Sequence, residues 1–258
     1  MKLTNENYFS VEAQMKYMGV SQFKAFEECQ AAALAEVSGN YEREKTTSLL
    51  VGSYVDAYFE GTLDSFKESN PELFKRDGTL KSEYRKADEI ISRLERDDFF
   101  MDYMSGEKQV IMTGEIEGVP VKVKVDSLLP DKIVDLKIMK DFQPIYVPEH
   151  GRLNFIEAWR YDLQGAVYQE IVRQNTGKKL PFFIAAATKE KETDLEVIEV
   201  SPAYLELELA NFREKVMLYD AIKKGLVEPE RCEHCDYCKA TKVLQKAITM
   251  EDLDLYAE

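Results

Sequence analysis

Two acidic residues and a lysine stand out in the stretch 121–137, VKVKVDSLLPDKIVDLK. Val121, Val123 and Val125 alternate with Lys122, Lys124 and Asp126, the period of a half-buried strand. Pro130-Asp131 is a turn signal, and Ile133 to Lys137 reads as the return strand. A hairpin centred between Pro130 and Asp131 sets Asp126 directly opposite Asp135, where Cβ atoms lie about 4.5–5.5 Å apart. Lys137, two residues on, shares the face of Asp135. Like charges so opposed weaken a sheet, whereas two carboxylates beside one ammonium suit a divalent cation.

Two further groups have the residue types of a metal site. The segment LLVGSYVDAYFEG, on a helix expected over Thr47–Phe59, is apolar on most faces, and Asp56 within it requires a partner or a cation. Near the other end, Cys232, Cys235 and Cys238 form C-x2-C-x2-C. Three of the four cysteines in so short a segment point to a metal centre in a reducing compartment rather than to disulfides. Cys29 supplies a fourth thiol, or His234 a nitrogen, although His234 is squeezed between two of the cysteines.

The elements that must position these groups follow from periodicity and turn signals. Residues 1–20 read as loop or short strand. Ser21 is the expected N-cap of one continuous helix from Gln22 to about Val37, with Phe23, Phe26 and Ala33 on its apolar side and Cys29 within it. Residues 62–105 are acidic and helical in pattern, with an apolar stripe of Ile90, Ile91, Leu94, Phe99 and Phe100. A strand over Glu107–Glu115 turns at Gly118 into the central hairpin, and Glu115 is a minor candidate for the site. Residues 140–152 form a loop with His150, to which no role attaches. A helix over 153–173 projects Tyr161, Gln164 and Tyr168 from one face, with Arg160 and Arg173 as candidate phosphate contacts. PFFIAAAT, 181–188, is an expected buried strand paired with Glu196–Val200, and Ser201-Pro202 opens a helix to about Lys224. This order fits a mixed sheet flanked by helices, an α/β (α+β) fold.

Gly52/Asp56, Asp126, Asp135-x-Lys137 and Gln164/Tyr168, in that order, resemble the motifs of the PD-(D/E)XK nuclease superfamily, and of its RecB-type and phage RecE-like members in particular. The resemblance runs from Cys29 to Cys238. It implies a restriction-endonuclease-like core with an N-terminal helical region and a C-terminal Cys motif. The whole chain would be a single nuclease domain, with 1–105 mainly helical, 106–224 the catalytic core and 225–258 the Cys-rich staple and tail. Asp56, Asp126, Asp135 and the Leu136 carbonyl are implied to hold Mg²⁺ or Mn²⁺. Position 56 carries Asp where those relatives carry His. Asp126, Asp135, Lys137, Gln164 and Tyr168 are the implied catalytic residues, and Lys137 serves the attacking water. Cys29, Cys232, Cys235 and Cys238 are implied to hold a 4Fe-4S cluster, with Zn²⁺ as the alternative. The expected activity is a metal-dependent DNA exonuclease of the phage or prophage recombination type. Linear duplex ends are its substrate, and a single-strand annealing protein and a homo-oligomeric ring are further expectations. A catalytically silent DNA-binding or assembly module of the same fold, or an iron–sulfur redox protein, are the alternatives.

Composition bounds these readings. A net charge of −14 argues against a non-specific coat for DNA, since phosphate contact needs local lysine and arginine. Lys122, Lys124, Lys132, Lys137 and Lys140 gather around the central hairpin and leave room for a locally basic groove. The sequence has no apolar run of membrane-spanning length, and MKLTNENYFS does not read as a signal peptide, so a cytoplasmic location without membrane contact is expected.

Overall fold

The structure, a computed structural model, describes residues 1–44, 46–148 and 150–250. Its centre is a five-stranded mixed sheet in the order β1-β2-β3-β6-β7. The strands are β1 (Glu107–Ile116), β2 (Val119–Leu128), β3 (Ile133–Met139), β6 (Phe182–Thr188) and β7 (Leu195–Glu199). β1, β2 and β3 form an antiparallel meander, β6 lies parallel to β3, and β7 returns antiparallel. Between β3 and β6 the chain makes a small hairpin, β4 (Ile145–Val147) with β5 (Gly151–Leu153). The crossover is completed by α8 (Phe155–Ala158) and α9 (Tyr161–Thr176). The hairpin lies within the stretch expected to be loop.

β3 and β6 are buried on both sides, so their residues alternate between two cores. One core gathers Ile133, Phe182, Ile184 and Ala186 with Leu163, Val167 and Ile171 of α9. It also takes Phe23 and Phe26 of α2 (Val20–Glu28), and Phe212 and Val216 of α10 (Pro202–Lys223). Phe23 and Phe212 stack at 4.4 Å between centroids, and each such ring contributes roughly 1.5–3 kcal/mol by burial. The other core sets Val134, Leu136, Ala185 and Ala187 against α4 (Thr47–Glu60), α6 (Lys86–Leu94) and α7 (Asp98–Tyr103). Leu63 and Phe66 of α5 (Leu63–Ser69) pack at its rim. In the expected stripe Ile90, Ile91, Leu94 and Phe100 are buried, but Phe99 is turned to solvent.

Four local expectations need correction. Residues 11–16 are helical, α1 (Val11–Lys16), capped by the Ser10 side chain. The helix expected over 22–37 is two helices: α2 opens at Gly19 rather than Ser21, and α3 runs Gln30–Val37. Cys29 between them is extended; its N–H closes α2 on Ala25 and its carbonyl opens α3 by accepting from Ala33. The helix expected over 153–173 likewise breaks, because Arg160 adopts a left-handed conformation with φ 53°. Its guanidinium ion-pairs with Glu27 and Glu208, two neighbouring helices that hold the unusual backbone in place. No helix among the described residues is long and apolar enough to cross a membrane.

Candidate active site

β2 and β3 pair at Leu128↔Ile133 and Ser127↔Val134, and the ladder ends there. This register is the one expected from the Pro130-Asp131 turn, and its next step faces Asp126 with Asp135. Instead of continuing the ladder, the Asp126 carboxylate enters the gap: its Oδ2 accepts the Leu136 N–H at 3.0 Å. Asp135 is buried, and its Oδ1 accepts from Gln164 Nε2 at 2.6 Å. Lys137 Nζ is ion-paired with Asp135, and lies 3.4 Å from the Leu136 carbonyl and 4.9 Å from the centroid of the Tyr161 ring.

The crossover helix can reach the strands because of Gly165. A Cβ there would meet the Phe182 ring at 2.4 Å, so only glycine lets α9 approach β6 this closely. Gln164 is thereby brought within hydrogen-bonding distance of Asp135, and Tyr161 and Tyr168 come with it on the same face. Tyr168 is half-buried beside the acidic pair, and desolvation first, then the charges around it, raise its phenol well above the ordinary value. On the other side α4 delivers Asp56 to the same place, with Glu60 one turn later. Asp56, Glu60, Gln109, Asp126 and Leu136 line a small cleft closed by Phe59 and Met104.

The electrostatics are those of negative charge packed without enough compensation. Burial raises Asp135; Lys137 pulls it back and Asp126 pushes it up again, leaving it at about 7. Asp56 is pushed well above the carboxylate range, by burial first and then by Asp126. Glu60 is raised by burial and by Asp126, against the pull of Lys124. Lys137 shifts upward: burial opposes its charge, but Asp135 and Asp126 outweigh it and keep the ammonium protonated. The donors in this cleft are hard oxygens, the ligand set of Mg²⁺ and Mn²⁺ rather than of a soft metal.

Thus Asp56, Asp126, Asp135, Leu136, Lys137, Gln164 and Tyr168 are brought together. Glu115 is not; it pairs with Pro120 at the far end of the hairpin and is exposed. Arg160 and Arg173 are taken up by internal ion pairs, the latter with Glu170. Lys122 is buried, and it donates to the Tyr8 carbonyl and to Gln14. Lys140 is left exposed. The sequence reading missed Lys24, whose Nζ donates to the Trp159 carbonyl at 2.8 Å and lies 5.1 Å from the centre of the Tyr161 ring. Burial and then Lys137 lower Lys24 to about 7. It also missed Glu60 and Gln109. The i+4 spacing from Asp56 was the available signal for Glu60.

The second candidate centre is the thiol cluster. Cys29, Cys232, Cys235 and Cys238 converge with all four Sγ atoms within 4.8 Å of one another. Cys29 and Cys238 sulfurs lie 3.6 Å apart. The Cys235 N–H points at Cys232 Sγ at 3.3 Å, and the Cys238 N–H at Cys235 Sγ at 3.4 Å. Such N–H···S contacts favour thiolates, the form that binds metal. His234 stays outside, exposed, with its ring nitrogen 2.7 Å from the Cys232 carbonyl. The arrangement can hold a metal as a four-thiolate site.

Comparison with known proteins decides the family. Residues 19–241 match the model of a PDDEXK-like domain of unknown function (DUF3799). The chain belongs to this PDDEXK-like family. A crystal structure from Eubacterium rectale, described as a "putative exonuclease", is 51% identical over 98% of both chains and superposes with a TM-score of 0.94. No curated protein matches the chain. Within the matched residues, Asp126, Asp135 and Lys137 meet where β2 and β3 part.

Proposed function

We propose that this chain is a divalent-cation-dependent DNA exonuclease, hydrolysing phosphodiester bonds from linear duplex ends in the manner of phage and prophage recombination nucleases. The observation that carries this reading is the convergence of Asp126, Asp135 and Lys137, with Gln164 donating to Asp135. The description of the 51%-identical relative supports it. Asp56, Asp126, Asp135 and the Leu136 carbonyl would hold Mg²⁺ or Mn²⁺. The donor chemistry fits, and so do the raised carboxyls of Asp56 and Asp135, which mark charge that a cation would neutralise. A cation bound there would act as a Lewis acid toward the scissile phosphate.

The protein's own groups have separable tasks in this proposal. The Leu136 N–H fixes the rotation of Asp126, and Gln164 fixes that of Asp135, so both carboxylates are oriented before substrate arrives. Lys137, protonated, hydrogen-bonds the attacking water and brings positive charge to the phosphate, so it positions the nucleophile rather than taking its proton. Tyr168 buttresses Gln164 from the same helix face. Lys124, which pulls on Glu60, supplies cationic charge near the cleft, a role first assigned to arginines that are already paired.

The test is end-labelled linear DNA beside the same sequence as a closed circle, with Mg²⁺, Mn²⁺ or EDTA, comparing wild type with Asp135→Asn. Loss of the linear form alone, dependent on metal and absent in the variant, is the expected result. Cutting of the circle makes the chain an endonuclease, and no cleavage in either metal makes it a silent binding module. The four-cysteine cluster would hold 4Fe-4S or zinc as a structural staple joining the first helices to the C-terminal segment. A ring of copies and an annealing partner belong to the same proposal through the motif resemblance.

A further inference from the structure

Gln109 sits on β1 between the ladder pairs Lys108↔Ser127 and Val110↔Val125, facing Asp126. It is only 8% exposed and has φ 53°, a left-handed backbone in the middle of a strand. A non-glycine residue held there costs on the order of 1–3 kcal/mol and persists only where the surroundings enforce it. Its Nε2 donates to Asp126 Oδ1 at 3.2 Å. Since an ionised carboxylate only accepts, the amide must present its nitrogen to Asp126, which turns Oε1 the other way. That oxygen is buried and has no hydrogen-bond partner among the described residues. A buried acceptor left so costs about 1–3 kcal/mol, and a glutamine kept for packing alone would have both ends satisfied.

Gln109 is one of the residues lining the small cleft, together with Asp56, Glu60, Asp126 and Leu136. Apart from the Gln109 amide nitrogen, which is committed to Asp126, every polar side-chain atom of these residues is an oxygen, and no lysine or arginine is among the described residues lining the cleft. Lys137 is directed to Asp135 and the Leu136 carbonyl instead. The missing complement of an orphaned amide oxygen among carboxylates is a hard cation, for which amide oxygen is an ordinary ligand.

We infer that Gln109 supplies an amide-oxygen ligand to a divalent cation held in this cleft, beside Asp56, Glu60 and Asp126. The inference rests on the cation-binding reading of the site and extends its ligand set to β1. It also accounts for the strained backbone, which aims the side chain. The competing arrangement is a protonated Asp56 or Glu60 donating to Oε1 with no cation involved.

The test is Mn²⁺ binding to the full chain without DNA, by calorimetry and water-proton relaxation, for wild type, Gln109→Met, Gln109→Gly and Asp126→Asn. Met keeps the length and removes the oxygen; Gly removes it and relieves the backbone, so one of the two serves if the other does not fold. Both Gln109 variants are expected to bind Mn²⁺ about 10–100-fold more weakly, while their metal-free melting temperatures are no lower than wild type. Wild-type affinity in either folded Gln109 variant, with binding lost in Asp126→Asn, overturns this inference and leaves the proposed function standing. No Mn²⁺ binding by the wild type overturns both.

Discussion

The Asp126 carboxylate takes the place of a rung in the β2–β3 ladder, accepting the Leu136 N–H at 3.0 Å where the two strands part. Its other oxygen accepts from Gln109 at 3.2 Å, so both ends of the group are engaged by donors. Asp126→Asn can satisfy only one of them, since the amide presents one oxygen and one NH₂. The variant should lose about 1–3 kcal/mol of stability in a urea melt as well as cation binding. An unchanged midpoint with full cation binding would remove Asp126 from both roles.

Lys137 is the residue whose loss should separate chemistry from architecture. Its ammonium touches Asp135, the Leu136 carbonyl and the Tyr161 ring, and little of the core depends on it. Lys137→Ala should lower cleavage of linear DNA by about 100-fold or more, the scale of a lost group that orients the nucleophile and stabilises the developing charge, with DNA binding retained. A gel-shift assay alongside the cleavage assay reads both quantities. Cleavage at the wild-type rate would mean that another group holds the water.

Cys29 links α2 and α3 to the three C-terminal thiols, and the Ala31 N–H on the Glu230 carbonyl reinforces the same junction at 3.0 Å. Cys29→Ser should therefore lower the melting temperature and release bound metal from protein purified under reducing conditions. Elemental analysis of the wild type distinguishes the occupants: about four irons with sulfide per chain, or about one zinc. Melting temperature and metal content unchanged in the variant would mean that the four sulfurs meet without a metal to hold.

Much of the site was legible because it depends on short-range counting. The Pro130-Asp131 turn fixes which residue faces Asp126, and helical spacing fixes that Tyr161, Gln164 and Tyr168 point one way. The same counting from the Glu117-Gly118 turn sets Gln109 opposite Asp126, so this residue was within reach of the sequence reading. Breaks in helices were less legible. Cys29 is extended to aim its sulfur at residues some two hundred positions away, and Arg160 turns left-handed between two ion pairs from other helices. No local propensity encodes either, because the compensation comes from distant parts of the chain. Lys24 and Lys122 could not be told apart as lysines in the sequence, yet one lies beside Lys137 and the other is sealed under the N-terminal segment.

That seal predicts a pH dependence. Lys122 donates to the Tyr8 carbonyl and Gln14, and Lys223 to the Tyr17 carbonyl and Gln22, so two ammoniums are buried largely on neutral acceptors. Burial lowers Lys122 to about 8; burial first, against the pull of Asp220 and with the repulsion of Lys122 and Lys224, lowers Lys223 to about 7. Between these values and the ordinary lysine value of 10.5 the unfolded chain binds more protons than the folded one, so stability rises with pH across that window. Each lysine adds at most about 1.4 kcal/mol per pH unit to the slope. Urea melts from pH 7 to 10 should show the rise, and Lys223→Met should flatten it. Parallel stability profiles for the variant and the wild type would show that Lys223 keeps its ordinary proton affinity in the fold.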